Sequence, residues 1–244
     1  MKRRIIYLLL SAVIIALWQY GGNTNSMVRL LLSSPSHTIQ YFSENYTELL
    51  RATGITLLES VLGLIIAVAF SFTMMILCFF KPKFMEFILP VMIISQVIPL
   101  IVLAPFFIIF LGIGLASKIA MAAVISFFPI FINFTQGYKS ISKNIHELMT
   151  VCQASVGFRI RNVYFPLSMP NILAGLKVSA TLSVIGAIVA EFSGANTGLG
   201  KNLFISALRL EPDLMMCSLI LSTLIGLSLF GIIRYFEKKY INWL

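Results

Sequence analysis

The chain has 244 residues and a net charge of +9, with 59% hydrophobic and only 11% charged residues. A soluble globular domain carries about a quarter charged residues, so this chain lacks the polar surface to face water on all sides. Its Lys and Arg residues are scattered among apolar blocks and form no continuous basic face, which argues against nucleic acid as a partner.

Apolar blocks alternate with short charged clusters, the pattern expected where lipid is the solvent, since a helix satisfies its own backbone and needs about 20 apolar residues to cross. The first block, Ile5 to Trp18, follows Lys2-Arg3-Arg4 and has no small-x-small cleavage site after it, so it reads as an uncleaved signal anchor over 5–22. A polar stretch follows from Asn23 to Glu48, with Ser33-Ser34-Pro35-Ser36 as its loop signal. The second span, 55–80, is charge-free from Ser60 to Phe80 and stops at Lys81-Pro82-Lys83. The third block is charge-free from Phe87 to Ser117, longer than one crossing requires. Pro90, Pro99 and Pro105 predict a kinked or interrupted helix over 87–111, with an outer turn at Gly112–Ser117. A fourth span covers 118–138.

The segment 139–171 is too polar for lipid and is the one long loop on its side. The fifth span, 172–192, has 13 charge-free residues between Lys177 and Glu191, so its helix must run past one or both charges. The sixth, 214–234, ends near Arg234. With the N-terminus inside, inner segments hold thirteen Lys and Arg residues, and the outer ones hold five (Arg29, Arg51, Lys118, Lys201, Arg209). The expectation is therefore an all-α polytopic bundle of about six transmembrane helices, one domain over 1–244, with both termini cytoplasmic.

Cys78, Cys152 and Cys217 have no CxxC spacing, and His37 and His146 lie in loops without partners at ligand spacing, so no metal, cofactor or catalytic base is expected. Gly194 to Asn202 resembles a phosphate loop but fails it at both ends. Ala195 stands where the first Gly belongs, and Asn202 replaces Ser/Thr; a glycine-rich outer turn fits better. Ser179, Ser183 and Gly186 share one face of the fifth span, either as a polar transport path or as small-residue packing. Gln96, beside Pro99, is a further path candidate. Glu191 is placed at the outer boundary, contacting solute or capping the loop.

The loop 139–171 resembles the cytoplasmic EAA loop of binding-protein-dependent ABC importer permeases, EAA-x3-G-x9-I-x-LP. Val163-Tyr164-Phe165-Pro166 anchors the match, putting Glu147 at the pattern's Glu, Leu148 and Met149 at its alanines, and Gln153 at its Gly. Gly serves there as a turn, so either Gln153 or Gly157 must supply it. Phe110-Leu111-Gly112-Ile113-Gly114, Phe127-Phe128-Pro129, Pro170 to Leu176, and Ala190-Glu191-Phe192 with Gly198-Leu199-Gly200 resemble the nitrate, sulfonate, taurine and thiamine-precursor branch. The resemblance implies a type I importer permease in a cytoplasmic membrane, not an enzyme. Its partners would be cytoplasmic ABC ATPases, an extracytoplasmic solute-binding protein and a second permease subunit. It further implies ATPase docking through Glu147, Gln153, Ala154, Ser155, Val156 and Gly157. The rivals are an ion-gradient-driven secondary transporter, an intramembrane enzyme, and the energy-coupling subunit of a vitamin transporter. The first would want ionisable groups inside its spans; the second, facing catalytic groups there.

Overall fold

The computed structural model describes residues 10, 13–21 and 33–240, and among these every regular element is helical. Helix α1 (residues 13–21) belongs to the expected anchor, the rest of which lies outside the described residues. Then follow α2 (Pro35–Phe80), α3 (Pro82–Ser95), α4 (Leu100–Leu111), α5 (Leu115–Lys139), α6 (Lys143–Val151) and α7 (Val156–Arg159). A π-helical turn (Ile160–Tyr164) leads into α8 (Phe165–Phe192), followed by α9 (Leu199–Arg209) and α10 (Pro212–Tyr240). Helices α2, α5, α8 and α10 are each long and apolar enough to cross a membrane.

The second helix starts twenty residues before the expected 55, and half of the stretch read as polar loop belongs to it. Local chemistry explains this. Ser34 caps the helix by accepting from the His37 N–H, and Pro35 sits in the first turn, where its missing N–H costs nothing. Its 46 residues span roughly 69 Å at 1.5 Å each, more than twice a hydrocarbon core. The axis breaks at Asn45, whose φ of −118° leaves the helical region while its side-chain amide donates to Tyr41 O.

The third block is interrupted, as its prolines predict: α3 and α4 are separate helices on either side of residues 96–99. The residue before a proline is disfavoured in the helical region, so Ile98-Pro99 cannot continue α3. Helix α8 extends through Lys177, which forms an ion pair with Glu237 of α10 at 2.8 Å, and it begins at Phe165, seven residues before the expected start.

The spans meet through small residues. Ala122 of α5 is fully buried between Gly63 of α2 and Gly186 of α8, and a Cβ on Gly186 would lie 2.7 Å from Ala122 Cα. Gly175 likewise sits against Pro129 O of α5. Apolar burial pulls helices together weakly in lipid, so this closeness of backbones supplies much of the cohesion. Around the seam, Leu49, Ala180, Val184 and Leu221 pack one side, and Ala67, Met74, Ile130 and Phe131 the other. Gly186→Ala is expected to cost about 1–3 kcal/mol by overpacking, lowering the melting temperature in detergent, whereas Gly226→Ala, with open space at its Cβ, should leave it unchanged.

Candidate functional site

Two assemblies of polar groups stand at opposite ends of the spans. Phe79, Tyr138 and Tyr164 mark one end, while Thr56, Glu59, Lys118 and Glu191 mark the other.

At the first end the chain turns through α6 and α7. Helix α6 has no buried residue. It ends in a Schellman turn: Gln153 N–H donates to Thr150 O at 3.0 Å, and Ala154 N–H donates to Met149 O at 3.1 Å. Gln153 holds the left-handed position itself, with φ +47°, so the open choice of turn residue is resolved in its favour. Gly157 lies within α7, whose N-cap Ser155 accepts from the Phe158 N–H. Arg159 folds back, its Nε donating to Ala154 O at 2.8 Å, and so braces the turn. Glu147, Gln153, Ser155, Val156 and Gly157 are all exposed, with Ala154 half-buried, so the six docking candidates form one accessible stretch. Leu148, Val151, Val156 and Phe158 add exposed apolar surface to it.

At the opposite end lies a buried network that sequence reasoning missed. Lys118 Nζ of α5 pairs with Glu59 Oε1 of α2 at 2.9 Å, and Glu59 is wholly buried. One turn away, Thr56 donates to Glu191 Oε1 at 2.7 Å and accepts from Leu199 N–H at 2.9 Å. Gly200 N–H donates to Glu191 Oε2 at 2.6 Å. The Lys118 ammonium serves Glu59 and also donates to Thr197 O at 3.4 Å, whereas Glu191 is held by Thr56 and Gly200; among the described residues Glu59 Oε2 has no hydrogen-bond partner. Lys118, expected among outer surface charges, is instead a buried ion-pair member, because Glu59 draws it inward. The signal was available: Glu59 lies inside the expected second span, where an ionisable residue is a site candidate by default. Its partner, however, is 59 positions away.

The phosphate-loop lookalike acquires a physical account here. Gly198, at φ +124°, and Gly200 bring the N-terminus of α9 onto the Glu191 carboxylate, and a Cβ on either would collide with it. The acceptor at this helix N-terminus is therefore the protein's own carboxyl group. Within this chain Glu191 holds the loop before α9 through Gly200, the contact that a capping role requires.

Ser179, Ser183 and Gly186 lie in the α5–α8 seam. Ser179 Oγ donates to Ser126 O at 2.6 Å, Ser183 Oγ to Ala180 O, and Gly186 abuts Ala122, so their surroundings within one chain are those of packing. Gln96 is exposed, at the C-terminus of α3.

Two substitutions test these arrangements. Lys118→Met leaves Glu59 uncompensated and should cost about 3–5 kcal/mol, much of it recovered in Lys118→Met/Glu59→Leu; thermal melts of the four-member cycle check this. Gln153→Gly relieves a left-handed residue and should stabilise the segment by about 1 kcal/mol, read as slower hydrogen exchange across α6 and α7.

Comparison with known proteins bears on what these ends serve. The chain is 29% identical to a Haemophilus influenzae protein described as "Probable ABC transporter permease protein", over 99% of each chain. It is 26% identical to a Bacillus subtilis protein named for aliphatic sulfonates transport, SsuC, over 97% of this chain and 86% of that one. Its fold is similar to a permease chain in an inward-facing structure of the MetNI methionine ABC transporter, with a TM-score of 0.67 at 19% identity, covering 79% of this chain and 97% of that one. The family model described as "Binding-protein-dependent transport system inner membrane component" matches residues 59–242, from Glu59 within α2 to beyond the end of α10, and the chain belongs to that family.

Proposed function

We propose that this chain forms the solute pathway of an ATP-driven importer and receives its driving force through α6 and α7, on which a cytoplasmic ABC ATPase seats. The observation that carries the reading is the exposed apolar surface of Leu148, Val151, Val156 and Phe158. These side chains stand among Lys143, Glu147, Arg159 and Arg161, in a segment too charged for lipid, so a protein partner is the cover that suits them. A mixed surface of this kind, apolar at its centre and charged at its rim, is the anatomy of a protein interface.

The distribution of basic residues puts this end on the cytoplasmic side and the Glu191 loop outside, where a solute-binding protein would deliver its cargo. A second permease subunit, identical or related, completes the pathway. The cargo is a small solute, and the sulfonate relative together with Arg51, Lys201 and Arg209 on the outer side favours an anionic one. One observation speaks for an ion-gradient-driven secondary transporter instead: Glu59, Lys118 and Glu191 are ionisable groups buried between spans. Their carboxylate and ammonium groups are engaged mainly with one another and with the loop they hold, so this reading comes second.

Purification through a C-terminal tag from native membranes in mild detergent distinguishes the two. An ABC ATPase should copurify with the wild-type chain and be lost with Glu147→Arg/Gln153→Arg, while the permease itself stays folded. Absence of any ATPase from the wild-type sample would hand the case to the secondary transporter.

A further inference from the structure

Helix α6 is joined to the rest of the chain by two non-helical links, residues 140–142 and 152–155. Through them alone a displacement of α6 reaches only the end of α5 and the start of α7. A second route exists. Among the described residues, His146 supplies the one side-chain hydrogen bond that leaves α6, its Nδ1 lying 3.0 Å from Tyr164 Oη. Tyr164 is buried at the root of α8, where the π turn ends. Its ring lies parallel to Phe79 of α2, with centroids 5.8 Å apart, and edge-on to Tyr138 of α5 at 5.4 Å. Tyr138 in turn meets Phe79 at 5.2 Å and the His146 ring at 5.5 Å.

Four rings from α2, α5, α6 and the start of α8 therefore touch in one closed set. We propose that the His146–Tyr164 contact, seated against Phe79 and Tyr138, is the joint through which movement of α6 is passed to three spans at once. The inference rests on the docking reading above. Packed rings resist compression and carry a push, while the hydrogen bond, being directional, fixes the rotation of α6 about that contact. The π turn that ends at Tyr164 gives the root of α8 a local departure from α-helical register, a feature frequent at functional sites. His146 and Tyr164 are positioning residues in this account.

The test uses the permease with its copurified ATPase, in proteoliposomes. The background is Cys152→Ser, since Cys78 and Cys217 are buried. A reporter, Ile113→Cys, sits in the exposed turn at the other end of the bundle. Its labelling rate with a membrane-impermeant maleimide is measured with and without ATP and vanadate. The background protein should show a nucleotide-dependent change in that rate. Tyr164→Phe and His146→Phe should each reduce the change at least fivefold with bound ATPase unaltered, and His146→Asn, which keeps a hydrogen-bonding group near the Nδ1 position, should restore most of it. A background-like response in both Phe variants would overturn the joint. Loss of bound ATPase from them would make His146 a docking residue instead, overturning it in another way. Wild-type protein without ATPase would overturn the docking reading itself.

Discussion

Glu191 accepts hydrogen bonds from Thr56 of α2 and from the backbone of Gly200 at the start of α9, and Thr56 is engaged in turn by Leu199 N–H. A carboxylate in a dry interior costs several kcal/mol unless its oxygens are satisfied, so none of these groups can withdraw without leaving another exposed to that cost. The adjacent Glu59–Lys118 pair adds α5 to the same assembly. Three spans and the outer loop are thereby fixed in register at one level of the membrane. The small-residue seam of Gly63, Ala122 and Gly186 sits just beyond it, where backbones already fixed by the polar network can approach to contact.

The opposite end is built differently. Its rings pack edge-on or parallel, each pair worth about 0.5–1.5 kcal/mol beyond area burial, with one hydrogen bond, His146 to Tyr164, among them. The two ends therefore tie their spans together by different means, a buried polar network at one and packed rings at the other, and the exposed α6 stands at the ring-packed end.

Much of the architecture is written in local patterns. Charge clusters delimit the blocks, and Pro99 is enough to predict that the third block is interrupted. That α8 runs through Lys177 follows from a charge-free stretch too short to cross without it. What was not legible depended on partners distant in sequence. Nothing near Glu59 announces Lys118, and nothing near Glu191 shows that Gly198 and Gly200 serve its carboxylate. His146 looked inert because its partner, Tyr164, is an aromatic residue and not a ligand or an acid. The polar stretch before residue 55 misled for another reason: composition opposes burial, and it does not oppose a helix that has a cap and one apolar edge. At Gln153 the resemblance pointed to the right position. Residue type alone did not say that Gln would adopt the conformation that Gly finds easy, because a single left-handed residue costs only about 1–2 kcal/mol and the two hydrogen bonds of the turn offset it.

The gap between α3 and α4 carries a consequence for the surroundings of the chain. After Ser95 the carbonyl groups of residues 96–98 have no following helical turn to accept from, and Pro99 has no N–H to offer. Fourteen residues of α3 are roughly 21 Å long, so where α3 runs along the membrane normal from a headgroup-level Lys81 this gap falls inside a hydrocarbon core about 30 Å thick. Acyl chains hold no hydrogen-bond donors. Gln96, Val97 and Ile98 are exposed in the single chain, so the solvent that meets them must be water or another protein surface, and never lipid. The bilayer thus acts as a selector of orientation: any arrangement of subunits that turns this gap towards the tails is disfavoured before any side-chain contact is counted.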